Sequence, residues 1–441
     1  MEYFLILLVN LVYLHCIWHG VVNDDAAELK VRPYNVKQEK IFNILLHLAV
    51  SELIYAVFGS LTAAILFSIH PLAIQIPAWK AGRHYGLNAG IFLSALAFFP
   101  FSAPLLLLSE FSIGTTLFLP LAFLFTKHWY VALIFLPIAG LSYKKIKTNI
   151  SNKKSGGGIF SVPLPDDFTP QNFKWKNLII VVKTFGYYSL ACLLPIKNGF
   201  YNSFLVTIGA SEKDNRYWYS FNRHFWGGIF AFIFMFVIWW FNKFNFIGMG
   251  ILIFGLSLIP FLNFITVQQF TAPRYAYLPL IGFQVALAGC LTHLPLPLRC
   301  FIVGALFLFY LDRTLRVMRH YAKDNISMME LDSQVFPENP RLWYYRYEHM
   351  LHKGNPVMAW AEATYGLKHL PEDCQLWFGL ACASFELGDY NAASEFLKTS
   401  EKFMLLADRK SMQSLIAEFR ARIKVELVKK FSPPRRTSWK L

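Results

Sequence analysis

The chain of 441 residues is 55% hydrophobic and 17% aromatic, and only 16% of it is charged. Soluble proteins average about 25% charged residues, so this deficit, with a mean hydropathy of +0.39, excludes an ordinary soluble enzyme and points to a membrane protein. The net charge of +15 sits on loops and tails beside apolar runs, where Lys and Arg meet anionic lipid head groups rather than nucleic acid.

A bilayer-crossing helix needs about 20 mostly apolar residues. Candidate runs lie near 3–20, 41–59, 61–70, 86–103, 104–126, 128–142, 177–195, 225–242, 246–263, 277–293 and 300–313. This predicts an all-α fold: a polytopic membrane bundle of about eleven spans over residues 1–313. The first run lacks a basic start and a small-residue cleavage site, so it reads as a retained helix rather than a signal peptide. The run 61–70 is short, which leaves the Phe58-Gly59-Ser60 turn before it open as a boundary.

The first polar loop carries Asp24 and Asp25, followed by Arg32. Adjacent carboxylates repel, so one holds its proton to higher pH. That suits a general base or a cation ligand, although Asp-Asp is also an ordinary loop cap. Phe67 to Arg83, FSIHPLAIQIPAWKAGR, places His70, Gln75, Lys80 and Arg83 at the mouth of a span. Glu110 lies inside an apolar run, where an acid is costly and often functional; a structural ion pair accounts for it equally well. The segment QQFTAPRYAYLP puts Arg274, Tyr275 and Tyr277 at the start of the tenth span.

Lys144, Lys145, Lys147, Lys153 and Lys154 make the loop 143–176 cytoplasmic by the positive-inside rule. Counting spans back puts Asp24, Asp25 and the segments 70–85, 196–224 and 264–276 outside. Counting forward puts the C-terminal domain outside too, although Arg313, Arg316, Arg319 and Lys323 pull the other way. Boundary cations commonly snorkel to head groups. Arg also binds phosphate oxygens in a bidentate fork, and two arginines, a His and two Asp on one face point to a phosphorylated lipid head group. The six cysteines show neither CxxC nor metal-ligand spacing and read as small core residues. No metal cage is visible; a divalent cation between Asp24 and Asp25 stays open.

Residues 314–431 read as a soluble helical domain, and 432–441 as a disordered tail. Pro337-Glu-Asn-Pro-Arg-Leu342-Trp343 is echoed thirty-four residues on by Pro371-Glu-Asp-Cys-Gln-Leu376-Trp377. Gly354 pairs with Gly388, and Ala359 with Ala393, at the same interval. Trp377, Gly388, Tyr390 and Ala393 match the tetratricopeptide pattern. Such a short α-solenoid serves to bind another protein, or to act as a scaffold.

Taken in order, these motifs resemble the transmembrane-and-tetratricopeptide-repeat O-mannosyltransferases of the GT-C glycosyltransferase superfamily. Asp24-Asp25-Ala26-Ala27 resembles the family's DD motif in its first luminal loop. Arg32-Pro33 and Phe42-Asn43-Ile44-Leu45-Leu46-His47 resemble its approach to the second span. His70-Pro71 through Trp79 to Gly82-Arg83, Leu107-Leu108-Ser109-Glu110, and Arg274-Tyr275-Ala276-Tyr277-Leu278-Pro279 resemble later motifs. Three departures stand out. Gln75 and Pro273 replace acids, and the loop between Asp25 and Arg32 is short.

The resemblance implies inverting transfer of a sugar from a polyprenyl-phosphate donor to a protein or glycan acceptor, on the extracytoplasmic face of a multi-pass membrane protein. A bacterial plasma membrane is favoured over the endoplasmic reticulum. Asp24 or Asp25 would be the base. Arg83, Arg274, His70 and Lys80 would hold the phosphate, with Arg32, Gln75, Glu110, Tyr275 and Tyr277 around the pocket. Two other classes remain: a transporter or flippase for a lipid-linked precursor, and a catalytically silent membrane scaffold that recruits protein partners through its repeats.

Overall fold

A computed structural model describes residues 1–18, 35–98, 175, 177–196, 199, 220–243, 245–263, 271–321, 325–337, 339–406 and 413–431. Asp24, Asp25, Arg32 and Glu110 lie outside them, as do the expected spans 104–126 and 128–142. Every regular element among the described residues is a helix. The helices begin and end where short polar side chains and glycine dictate. Helix α1 (Glu2–Asn10) runs into a 3-10 segment, Leu11–Trp18. Helix α2 (Val36–Phe58) is capped by Asn35, whose Oδ1 accepts from the Lys37 and Gln38 N–H groups at 3.1 and 3.3 Å. It stops at Gly59, which takes φ 64° and donates to the Tyr55 carbonyl, a left-handed cap that suits glycine. Ser60 Oγ then caps α3 (Leu61–Ser68) by accepting from Ala63 N–H. The Phe58-Gly59-Ser60 turn is therefore a true boundary between two helices.

Past α3 the chain breaks. His70 leads into a 3-10 turn, Pro71–Ala73, then the single-turn helix α4 (Gln75–Ala78), the turn Lys80–Gly82 and α5 (Arg83–Ala97). The remaining helices of this unit are α6 (Asn177–Leu193), α7 (Arg223–Asn242), α8 (Phe246–Leu258), α9 (Tyr277–Leu291), α10 (Leu296–Tyr321) and α11 (Asn325–Val335). Among the described residues, three helical stretches are long and apolar enough to cross a membrane: Val36–Phe58, Arg223–Asn242 and Pro273–Leu291. The pair Leu61–Ser68 and Pro71–Ala78, bent by 59°, makes a fourth if it is one span. Helix α7 exposes Trp226, Phe230, Phe232, Phe234, Trp240 and Phe241. Such a run of bare aromatics is unfavourable in water and natural against lipid tails.

Small residues set the closest contacts. On α8 and α9, a Cβ at Gly250 would lie 2.6 Å from the Gly282 carbonyl oxygen; on α6 and α7, one at Gly186 would lie 2.6 Å from Gly228 Cα. Without a hydrophobic drive between helices in lipid, backbone approach of this kind supplies the packing energy. The core is built on Val50, Ile54, Phe67, Phe92, Phe254 and Ile281, among others.

The last apolar run reads as ending at 313, but α10 continues to Tyr321. Its charges lie where Arg316 pairs with Asp312 at 3.0 Å, while Thr314, Val317 and Met318 stay buried. A polar stretch with an apolar stripe extends a helix rather than ending it. The described residues divide into two compact units, one reaching Phe336 and the other beginning at Pro337, so the division falls after α11 and not at 313.

In the second unit α12 (Pro340–His352), α13 (Pro356–His369), α14 (Cys374–Glu386), α15 (Tyr390–Leu406) and α16 (Gln413–Phe431) each pack on the next, and α12 also packs on α14. The sequence echo is a structural one. Trp343 Nε1 donates to the Pro337 carbonyl at 2.7 Å, and Trp377 Nε1 to the Pro371 carbonyl at 2.9 Å. Gly354 and Gly388 close the two turns at φ 70° and 80°, each donating to the carbonyl three residues back. Ala359 and Ala393 are fully buried. Cys374 is buried, and burial pushes the Cys382 thiol up to about 12, so both are inert packing groups. Cys300 on α10 is exposed and departs from the core reading of the cysteines.

Trp343 is 2% exposed and packs with Tyr347, Ala363 and Leu376. Trp343→Ala is expected to cost about 3–5 kcal/mol, measured as lost hydrogen-exchange protection across 340–386 of the full chain. Trp360→Ala, on an exposed position of α13, is the control and should change little.

Candidate functional site

The turn 71–83 is held tightly because Gly82 sits against α4. A Cβ there would lie 2.6 Å from the Gln75 carbonyl oxygen, so only glycine lets the chain fold back and launch α5 at Arg83. The Trp79 carbonyl, at the apex, accepts from Asn43 Nδ2 of α2 at 3.0 Å. Arg83 forms an ion pair with Glu39, one turn earlier on α2, and lies over the Phe42 ring at 5.2 Å.

Arg274 reaches the same place from the turn Pro273–Ala276. Its guanidinium lies 5.1 Å from the Trp79 ring centroid and 5.0 Å from that of Tyr275. The Tyr85 hydroxyl is within its hydrogen-bonding reach. Tyr275 is fixed in turn by stacking on Phe261, with centroids 4.3 Å apart and planes 6° from parallel. Arg274 is only 6% exposed. A guanidinium clamped between aromatic faces keeps its charge and loses its freedom. Lys80 is half-buried in the turn 80–82, and Lys40 is buried beside Glu39 on α2.

The structure thus gathers Gln75, Lys80, Arg83, Arg274 and Tyr275 around Trp79. It places His70 and Tyr277 elsewhere. His70 Nδ1 accepts from the Leu72 N–H at 3.2 Å, which leaves the ring hydrogen on Nε2, and Nε2 faces the Cys192 carbonyl at 3.1 Å. Gln284 Nε2 also donates to that carbonyl, and the Tyr310 hydroxyl to the neighbouring Leu193 carbonyl. With both nitrogens committed to backbone, His70 has no N–H left for a phosphate. It ties the broken helix to α6, α9 and α10.

Tyr277 belongs to a third network. Its hydroxyl meets His47 Nδ1 at 2.8 Å, His47 Nε2 faces the Ser68 carbonyl at 3.0 Å, and Tyr13 donates to the same carbonyl at 2.8 Å. No family model, curated protein or solved structure matches this chain. Among the described residues no group of three or more His, Cys, Asp or Glu side chains could hold a metal; Asp24 and Asp25 lie outside them.

Sequence reasoning missed Glu39, Lys40, Trp79 and Tyr85 as members of the cluster. The usable signal for Glu39 was an adjacent acid and base at the start of an apolar run, where a charge needs a partner. The pair is partly buried, with side chains 20% and 26% exposed. Breaking it with Arg83→Met or Glu39→Gln is expected to lower the melting temperature in detergent. The double variant should lose less than the sum, with a coupling of about 1 kcal/mol after allowance for solvent screening. Strict additivity would mean that the pair contributes nothing.

Proposed function

We propose that the chain is an integral-membrane glycosyltransferase that moves a sugar from a polyprenyl-phosphate donor to a protein or glycan acceptor on the extracytoplasmic face. The carrying observation is Arg274, buried with its guanidinium about equally close to the Trp79 and Tyr275 rings. A preorganised cation of this kind suits a phosphate on which charge develops as the sugar leaves. Lys80 joins it in this role, and Arg83 serves by shaping the wall through Glu39.

Asp24 and Asp25 supply the base for the acceptor hydroxyl or amide. Two features support their place. The loop 19–34 is bounded by the 3-10 segment ending at Trp18, which packs on α4, and by α2, which packs on α4 and on the turn 80–82. The described elements before and after residues 19–34 thus both pack on the α4 turn that leads to Trp79. The order of motifs, and the resemblance to the transmembrane-and-tetratricopeptide-repeat O-mannosyltransferases, agrees with this reading. In it, the paired helices α12–α15 form tetratricopeptide repeats that present or recruit the acceptor.

One observation favours a second reading, a catalytically silent scaffold: both ring nitrogens of His70 face backbone groups, and Arg83 is ion-paired to Glu39. The deciding experiment is sugar transfer by the purified chain from a radiolabelled polyprenyl-phosphate sugar in detergent. Label appearing in acceptor supports the enzyme. Donor binding without transfer supports the scaffold, and label carried across a liposome membrane without transfer supports a transporter.

A further inference from the structure

Buried amides are satisfied almost without exception in folded proteins. Gln75 is fully buried, and neither its Nε2 nor its Oε1 has a hydrogen-bond partner. Asn10, Asn43, Asn177 and Gln284 each leave one oxygen in that state. Among the described residues, Gln75 is the amide with both ends so left. It is not isolated. The Trp79 N–H donates to the Gln75 carbonyl at 3.2 Å, and the Trp79 carbonyl takes the Asn43 amide. Two neighbouring elements, α4 through Gln75 and α2 through Asn43, therefore bring two side-chain carbonyls and one amide N–H₂ without partners to the backbone of Trp79, the residue whose ring Arg274 rests on.

The chemistry of this set selects its ligand. Two vacant acceptors need a ligand that donates. The phosphodiester of a lipid-linked sugar has no proton to give at neutral pH, and a lipid tail has neither donor nor acceptor. A hydroxyl both gives and takes, and vicinal hydroxyls beside an aromatic ring describe a sugar. Resting on the lipid-linked donor reading above, we propose that Gln75 and Asn43 form the sugar-reading end of the site, with the anion held at Arg274. The donor is then chosen by a neutral amide pair, which discriminates among hydroxyl arrangements by leaving buried polar groups unpaired when the wrong sugar binds.

The test uses the full chain in detergent with three probes: farnesyl phosphate, farnesyl-phosphate mannose and farnesyl-phosphate glucose. Binding is read by quenching of tryptophan fluorescence. The wild type should bind at least one sugar conjugate about tenfold tighter than farnesyl phosphate, as one well-made hydrogen-bond set allows. Gln75→Met, which keeps the length of the side chain, and Asn43→Leu should each remove most of that preference while leaving farnesyl phosphate affinity unchanged. Without ligand, Gln75→Met should melt at or above the wild-type temperature, because an unpartnered amide is destabilising.

A preserved sugar preference in both variants would overturn the proposal. So would a clear drop in the ligand-free melting temperature of Gln75→Met, which would mean that the amide is satisfied by a structural water. Equal wild-type affinity for all three probes would sink the sugar subsite while sparing the phosphate site. Failure of the wild type to bind any probe would remove both.

Discussion

Asp24→Asn should stop sugar transfer, by about 10²–10⁴-fold, in a protein that still folds and still binds its lipid donor. Asparagine keeps the shape of the side chain and cannot accept a proton at neutral pH. Asp25→Asn should cost less if Asp25 holds the loop or tunes its neighbour. Arg274→Ala should differ in kind. On the proposed reading the buried guanidinium would touch phosphate before and during transfer, so its loss should raise the donor dissociation constant as well as lower turnover. The measurement is transfer from a radiolabelled polyprenyl-phosphate sugar, paired with a donor-binding assay. Near-normal turnover in both single Asp variants would end the carboxylate-base mechanism.

Gly282→Leu should be strongly damaging to the first helical unit. A Cβ at Gly282 would stand 2.5 Å from the Gly250 carbonyl oxygen and 2.5 Å from Phe254 N. Both are backbone atoms of α8, so no side-chain rotation relieves the clash and the two helices must part. Overpacking typically costs about 1–3 kcal/mol, and rigid neighbours on this helix pair put the cost at or above the upper end. The expected readout is a much lower melting temperature and loss of the monodisperse detergent peak. Gly255→Leu, on the partner helix α8 with nothing within 4 Å of its added Cβ, should leave both unchanged. Equal effects at the two positions would show that leucine substitution itself, not backbone contact, sets the outcome.

Local physics made much of the fold legible, and tertiary pairing hid the rest. The thirty-four-residue echo carried over into geometry because the turn glycines and packing alanines are local requirements that each copy must meet by itself. The start of α2 was less visible. Its apolar run reads from Ile41, but the Asn35 cap begins the helix at Val36, and that polar first turn is where Glu39 and Lys40 sit. Arg83 and Arg274 were both legible as boundary cations, and only packing separates them. Arg83 is met by an acid 44 residues earlier in the chain, whereas Arg274 is met by aromatic rings. His70 shows the limit most clearly. A His-Pro at a span mouth has the look of a ligand-binding group, and nothing in its neighbours reveals a carbonyl 122 residues away.

That long-distance tie has a consequence for how the protein is made. The break between α3 and α4 leaves backbone groups that must be covered. The Ile69 carbonyl is covered by Thr314 Oγ1 at 2.6 Å, across 245 residues. At synthesis rates of about 5–20 residues per second, roughly 10–50 s separate the two. During that interval the Ile69 carbonyl at the kink lacks the partner that α10 supplies. Completion of α10 thus satisfies a backbone group that the earlier helices leave open. Nascent chains ending before Thr314 should remain bound to the insertion machinery, or be degraded, rather than accumulate as a stable N-terminal fragment.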